Sequence, residues 1–245
     1  MYFNIIMVNN FIKRVISSVL LGGTLVFLLI KYEQFYKTFF CILLILMILE
    51  WFKINNNKKS LLFLFGLLYI SFPIICIITS SVFNKYIVLF LFSIVWSCDI
   101  FAYLGGKLIG GAKFSPKISP NKTWSGVICG SFCSFVVALI YLKFTYCHIP
   151  SIFIILFIIA SILGDLLESK VKRVIGIKDS GNIIPGHGGV LDRFDSFLLT
   201  TYTYVLYIII DRLHGMVKMD GFSYTLTHIF SDPSYIQYLF KGILS

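Results

Sequence analysis

Apolar residues run through this chain in blocks as long as a lipid bilayer is thick, and no other feature restricts its fold so severely. Seven blocks stand out, at roughly 15–30, 38–52, 60–80, 86–105, 124–142, 151–168 and 194–211. A helix of about 20 residues crosses the roughly 30 Å hydrocarbon core. Inside that core each backbone N–H and C=O must be satisfied within its own segment, which selects helices. The composition agrees, with 58% hydrophobic and 13% charged residues, where a soluble domain carries about 25% charged. The expectation is an all-α polytopic integral membrane protein of about seven transmembrane helices, or eight or nine with interfacial segments. No internal repeat interrupts it, so 1–245 reads as a single membrane-embedded domain. Lys13 and Arg14 precede the first block as in a signal peptide, but Lys31-Tyr32-Glu33 follows it in place of a small-residue cleavage site. It therefore reads as a retained span. Tyr235–Leu244 has the look of a further interfacial helix.

The formal net charge is +10. On a soluble domain this would point to nucleic acid. Here the basic residues lie between apolar blocks, so they serve orientation and anionic ligands, and no nucleic-acid partner is expected. With the N-terminus inside, fourteen of the 21 Lys and Arg residues fall in inside segments and seven outside. Positive charge stays on the cytoplasmic side. Two polar loops, about 106–123 and 169–193, then face the cytoplasm together. The six cysteines form no CxxC and read as small, buried, inert thiols.

The stretch Gly164–Asp195 holds most of the chemistry. Asp165 and Glu168 are three apart at the end of one block, and Asp192 and Asp195 repeat that spacing at the start of the next. On helices each pair shares a face. Carboxylates at a membrane edge are costly unless paired, metal-bound or hydrated. As hard oxygen ligands they suit Mg²⁺, which is commonly shared with substrate phosphates. The plain alternative is helix-ending charge paired with Lys170, Lys172, Arg173 and Arg193. Between the pairs lies Pro185-Gly186-His187-Gly188-Gly189, where Gly188 and Gly189 let the backbone approach an anion and His187 has a donor for phosphate. Lys172, Arg173, Lys178 and Arg193 add cations, interleaved with Asp and Gly as in a polyphosphate site.

A second stretch runs from Asp99 to Gly126. Asp99 is an ionisable residue inside an apolar block, a functional candidate whose plain alternative is pairing with Lys107. Ser115–Thr123 reads as a rigid, donor-rich loop, with Ser119, Lys122 and Thr123 placed for a phosphate where a helix begins. Gly105-Gly106-Lys107 lacks the leading glycine and Lys-Ser/Thr pair of a Walker loop. Trp124 reads as an interfacial anchor rather than a base-stacking ring.

These residues together resemble the phosphatidate cytidylyltransferases, also called CDP-diacylglycerol synthases. The family pattern S-x-x-K-R, K-D and H-G-G-x-x-D-R-x-D appears as Ser169, Lys172-Arg173, Lys178-Asp179, His187-Gly188-Gly189, Asp192-Arg193 and Asp195. Its S-P-x-K-T-x-x-G loop appears at Ser119-Pro120, Lys122-Thr123 and Gly126, and the group Asp99, Ala102, Tyr103, Gly106-Lys107 matches as well. The likeness is close over about 99–200. Ser125 stands where the family usually has Glu, and seven blocks replace its usual eight or nine spans. The resemblance implies transfer of the cytidylyl group of CTP to phosphatidic acid, giving CDP-diacylglycerol and pyrophosphate. It implies Mg²⁺, with a second, monovalent cation, at Asp165 and Asp192, and a homodimer in the cell's inner membrane with a cytoplasmic active site. Glu168 and Asp195 would be additional or supporting ligands. Lys122, Lys172, Arg173, His187 and Arg193 would hold the triphosphate. Two other classes compete. A CTP-dependent lipid kinase would release CDP instead of pyrophosphate. A transporter would show repeats and charges near mid-bilayer, whereas here the charges gather at one boundary.

Overall fold

The computed structural model describes residues 22–23, 26–27, 35–54, 60–80, 83–145, 149–177, 180–181 and 188–217. The block 15–30 lies largely outside them, as do Lys178, His187 and the segment Tyr235–Leu244. The described elements are α1 (Phe35–Ile54), α2 (Ser60–Thr79), α3 (Lys85–Leu108), the strands β1 (Lys113–Ser115) and β2 (Ser119–Thr123), α4 (Trp124–Thr145), α5 (Ser151–Ile175) and α6 (Leu191–Val217). Among the described residues, four helices are long and apolar enough to cross a membrane: α2, α3, α4 and α5. The expected polytopic helical fold is present. The chain forms two compact units, Met1–Thr203 and Tyr204–Ser245. Everything below concerns the first.

The most extensive helix pairing joins α3 to α4, and its cause is legible in α4. The buried residues of that helix are Gly126, Gly130, Ser134, Ala138 and Leu142, one every four positions. Small residues at this spacing let two membrane helices approach backbone to backbone. A Cβ on Gly126 would stand 2.5 Å from the carbonyl of Ala102, and one on Gly130 would stand 2.7 Å from that of Cys98. Ser134 Oγ donates to the Ile94 carbonyl at 2.9 Å, which ties the pair further along.

Aromatic packing closes the interior beneath the polar end. Phe92 of α3 stacks on Phe197 of α6 with ring centroids 4.1 Å apart, and Phe40 of α1 stacks on the same ring at 6.0 Å. On α1 the buried residues Tyr36, Phe40, Leu43, Met47 and Glu50 recur at intervals of three and four, one stripe along the helix. Trp51 lies across Gly66 of α2, where a Cβ would come within 2.0 Å of the indole. The Trp51 ring N–H donates to the Phe63 carbonyl at 3.0 Å.

Two local elements differ from the sequence reading. The stretch expected as a loop before α4 is a two-stranded antiparallel hairpin, with Lys113 opposite Thr123 and Ser115 opposite Ser119. Its turn is closed by Ile118 N–H donating to Ser115 O at 3.2 Å, with Pro116 at the position its fixed φ favours. Gly110 and Gly111, with φ of 68° and 99°, carry the chain out of α3 into it. Helix α5 also runs past the expected end near 168 to Ile175, so Ser169, Lys170, Lys172 and Arg173 are helical. It stops at Gly176, whose φ of 85° allows Gly176 and Ile177 N–H to close onto the carbonyls of Arg173 and Lys172.

Candidate active site

The site is built where the hairpin, the last turns of α5 and the first turn of α6 come together. Lys122, near the end of β2, reaches Asp165 of α5, with Nζ 2.6 Å from Oδ2. Ser169 Oγ, one turn on, donates to the other Asp165 oxygen at 3.3 Å. This contact brings the two predicted polar segments to one end of the helices.

Lys172 makes the second centre. Its Nζ stands 2.6 Å from Asp192 Oδ1 on α6 and 3.6 Å from Glu168 Oε2 one turn back on its own helix. All three side chains are largely buried. Asp192 also accepts main-chain N–H bonds, from Gly189 at 2.8 Å and Ser180 at 3.0 Å. Burial pushes its pKa up, but the hydrogen bonds from Lys172, Gly189 and Ser180 and the charge of Lys172 outweigh that. Its carboxyl titrates below the usual aspartate range.

Gly164 allows α6 to come this close. A Cβ there would lie 2.7 Å from the Asp195 carbonyl and 2.9 Å from Ser196 Cα. The bare α-carbon seats the α6 backbone beside Asp165, and Asp195 then lies within electrostatic reach of both Asp165 and Glu168. Asp99 of α3 joins them, within reach of Asp195, Asp165, Lys122 and Arg193. Its alternative partner, Lys107, lies instead over the Tyr103 ring at 5.8 Å. Among the described residues the ion pairs thus fall into two groups, Lys122 with Asp165 and Lys172 with Glu168 and Asp192, with Asp195 beside them, rather than one shell. Among the described residues, no three His, Cys, Asp or Glu groups close into a metal cage.

The electrostatics nevertheless suit a cation. Five carboxylates, Asp99, Asp165, Glu168, Asp192 and Asp195, face three cations, Lys122, Lys172 and Arg193. Both Glu168 oxygens are buried without a hydrogen-bond donor among the described residues. A divalent ion sharing its sphere with waters and phosphates fits such a set better than a preformed cage would.

Several predicted phosphate contacts are engaged elsewhere. Thr123 is the N-cap of α4, and its Oγ1 accepts from Gly126 N–H at 3.2 Å. Ser125 donates to the Gly110 carbonyl and lies 3.0 Å from Thr123 Oγ1, so it ties the hairpin base to α4. Gly189 is buried with its N–H on Asp192, and a Cβ there would meet Ser180 Oγ and both Glu50 oxygens. Gly188, with φ of 81°, makes the turn. Ser119 is half-buried on β2, and Arg173 and Arg193 are exposed. Trp124 is half exposed and packs edge-on against Phe114 at 4.7 Å.

One participant escaped the sequence reading. Glu50 of α1 is 1% exposed and accepts N–H bonds from Val190 at 2.8 Å and Leu191 at 2.9 Å. Its signal was the one used for Asp99, a lone carboxylate inside an apolar block. Beside it, a small pocket of about 40 Å³ has an apolar wall that includes Trp51, Phe65, Tyr69, Val171 and Leu198. Glu168, Lys172 and Asp195 also line it.

Residues 56–211 match the sequence profile described as the cytidylyltransferase family. The chain is 41% identical over 204 residues to a Rickettsia bellii protein named phosphatidate cytidylyltransferase, covering 78% of this chain and 88% of the relative. A Rickettsia typhi protein of the same name is 41% identical over 208 residues, 78% of this chain and 89% of that one. One from Brucella abortus is 38% identical over 157 residues, 62% of this chain and 51% of that one.

Proposed function

Because this chain belongs to the cytidylyltransferase family, we infer that it is a phosphatidate cytidylyltransferase: it transfers the cytidylyl group of CTP to phosphatidic acid for phospholipid synthesis. The observation that carries the site assignment is the Lys122–Asp165 contact. It gathers the hairpin lysine, the two acidic pairs and Lys172 at one polar end of otherwise apolar helices.

In the reaction a phosphate oxygen of phosphatidic acid attacks the α-phosphorus of CTP. The new P–O bond forms as the bond to the α–β bridging oxygen breaks, and that oxygen leaves with pyrophosphate. The nucleophile is already anionic near neutral pH, so the protein's task is alignment and charge neutralisation more than proton removal. Lys122, Lys172 and Arg193 supply positive charge to the triphosphate. His187 and Lys178, on the segment between α5 and α6, complete this set, with Arg173 at its rim. Five carboxylates would repel a triphosphate on their own. Mg²⁺, held by Asp165 and Asp192 with Glu168 and Asp195 alongside, would supply the charge that lets phosphates settle there. A monovalent cation is a natural second occupant. The apolar wall beside Lys172, which includes Trp51 and Leu198, turns a lipid-compatible surface toward the chemistry while the acyl chains stay in the bilayer. The active site faces the cytoplasm, the protein resides in the inner membrane, and the working unit is a homodimer.

The test is product identification with the purified protein, CTP, phosphatidic acid and Mg²⁺. Stoichiometric pyrophosphate and CDP-diacylglycerol are expected, lost on adding chelator and reduced at least 100-fold in Asp165→Ala and Asp192→Ala. Release of CDP with a phosphorylated lipid would replace this reading with that of a lipid kinase.

A further inference from the structure

Glu50 stands outside everything assigned so far. It precedes the family-matched stretch 56–211, carries a carboxylate, and sits on the buried face of α1, three residues after Met47. Its two oxygens each take one main-chain N–H, from Val190 and Leu191, at the point where α6 begins. Among the described residues no cation lies in ion-pair range of it. Its charge is met by those two N–H groups and the positive end of the helix. The surroundings are shaped to it. A Cβ on Gly181 would come within 2.8 Å of Glu50 Oε1, and one on Gly189 within 2.7 Å of Oε2.

Gly181 and Gly189 bracket the segment 182–187, which contains His187. Asp192 bonds the same two ends, through Ser180 and Gly189. One face of the junction is thus fastened to Asp192, inside the site. The other is fastened to Glu50, on a helix that contributes no other charged group there. We propose that Glu50 is a positioning residue, holding the start of α6 against α1, with Gly181 and Gly189 packed on its carboxylate, so that Asp192 meets CTP in register. It touches neither substrate. This role rests on the cytidylyl-transfer reading for its kinetic consequence but not for its structural one.

Glu50→Gln separates this role from plain packing. Glutamine keeps the volume but has one acceptor oxygen, and its NH₂ faces the second N–H. Met47→Ala, on the same buried stripe, serves as the packing control. In Glu50→Gln, amide exchange over 188–191 in the detergent-solubilised protein should rise at least 10-fold. The kcat/KM for CTP should fall at least 10-fold, while the KM for phosphatidic acid stays within twofold. Met47→Ala should lower the melting temperature without either kinetic change. Wild-type exchange and wild-type kcat/KM for CTP in Glu50→Gln would overturn the proposal. So would an equal rise in both KM values matched by Met47→Ala. If the unsubstituted chain made no CDP-diacylglycerol, the reaction assigned above would fall. The exchange comparison would still decide whether Glu50 holds the start of α6.

Discussion

Lys172 is a side chain on which the two acidic pairs depend, because it reaches Glu168 of one and Asp192 of the other. Removing it leaves Glu168 and Asp192 facing each other's helices without the ammonium between them. Breaking one partner from a buried ion pair costs about 3–5 kcal/mol. Lys172→Met should therefore fold less stably, with a melting temperature lower by several degrees, and lose at least 100-fold in kcat. Scanning calorimetry and pyrophosphate release read the two effects separately. Asp192 gives the same contact a pH signature. Its folded-state pKa lies below the ordinary aspartate value of about 3.9. The stability it contributes is thus complete above about pH 4 and is lost as pH falls through its lower folded value. Wild-type melting temperature should drop on acidification below about pH 4, and Asp192→Asn, already without that charge, should drop less. The acidic spacing that marks Asp165, Glu168, Asp192 and Asp195 was open to reading, since three residues on a helix means one face. Which lysine meets which acid was not. That depends on Gly164 letting α6 approach, a tertiary fact that spacing along the chain does not contain.

Among the elements, α3 and α4 are joined by absence of side chain rather than by interlocking bulk. Both helices are rich in lipid-like residues, so water drives their association little, and close contact must come from small residues. Gly130→Leu should force the pair apart at Cys98 and Ala102, at a cost of about 1–3 kcal/mol for overpacking. Ile128→Leu, on the exposed face two residues away, should be neutral. Thermal melts of the two variants make the comparison. Gly164→Ala repeats the logic within the site: its methyl meets the Asp195 carbonyl, so kcat should fall at least 10-fold while the helices remain assembled by circular dichroism. The apolar blocks from 38 to 168 found their helices to within a few residues, because length and hydropathy decide a helix in lipid. The hairpin and the α5 extension escaped that logic. A strand of three or five residues leaves no periodic mark, and the extended end of α5 is set by Gly176 rather than by a change in polarity. The start of α4 after Thr123 was legible from its apolar block, and the structure adds that the Thr123 hydroxyl caps it by accepting from Gly126 N–H.

At the scale of the whole molecule, the polar ends of the helices must lie on one membrane face for any of this chemistry to occur. The Lys122–Asp165 contact requires the hairpin and the end of α5 to share a side. A helix of α4's length, Trp124–Thr145, spans about 33 Å at 1.5 Å per residue, so Lys143 belongs to the opposite face. On the proposed orientation, the excess of Lys and Arg in the segments with the hairpin puts the shared face on the cytoplasmic side. Single cysteines at Lys117, Lys170 and Lys143, all exposed positions, test this in a background with the native cysteines replaced. In sealed right-side-out vesicles a membrane-impermeant maleimide should label Lys143→Cys alone. Inverted vesicles should reverse the pattern and label Lys117→Cys and Lys170→Cys together. Labelling of Lys117→Cys and Lys170→Cys from opposite faces would separate Lys122 from Asp165, and with them the hairpin from the acidic pairs. Joint labelling from outside would keep the site intact but turn it away from the compartment where CTP is made, which would leave the assigned reaction without its nucleotide.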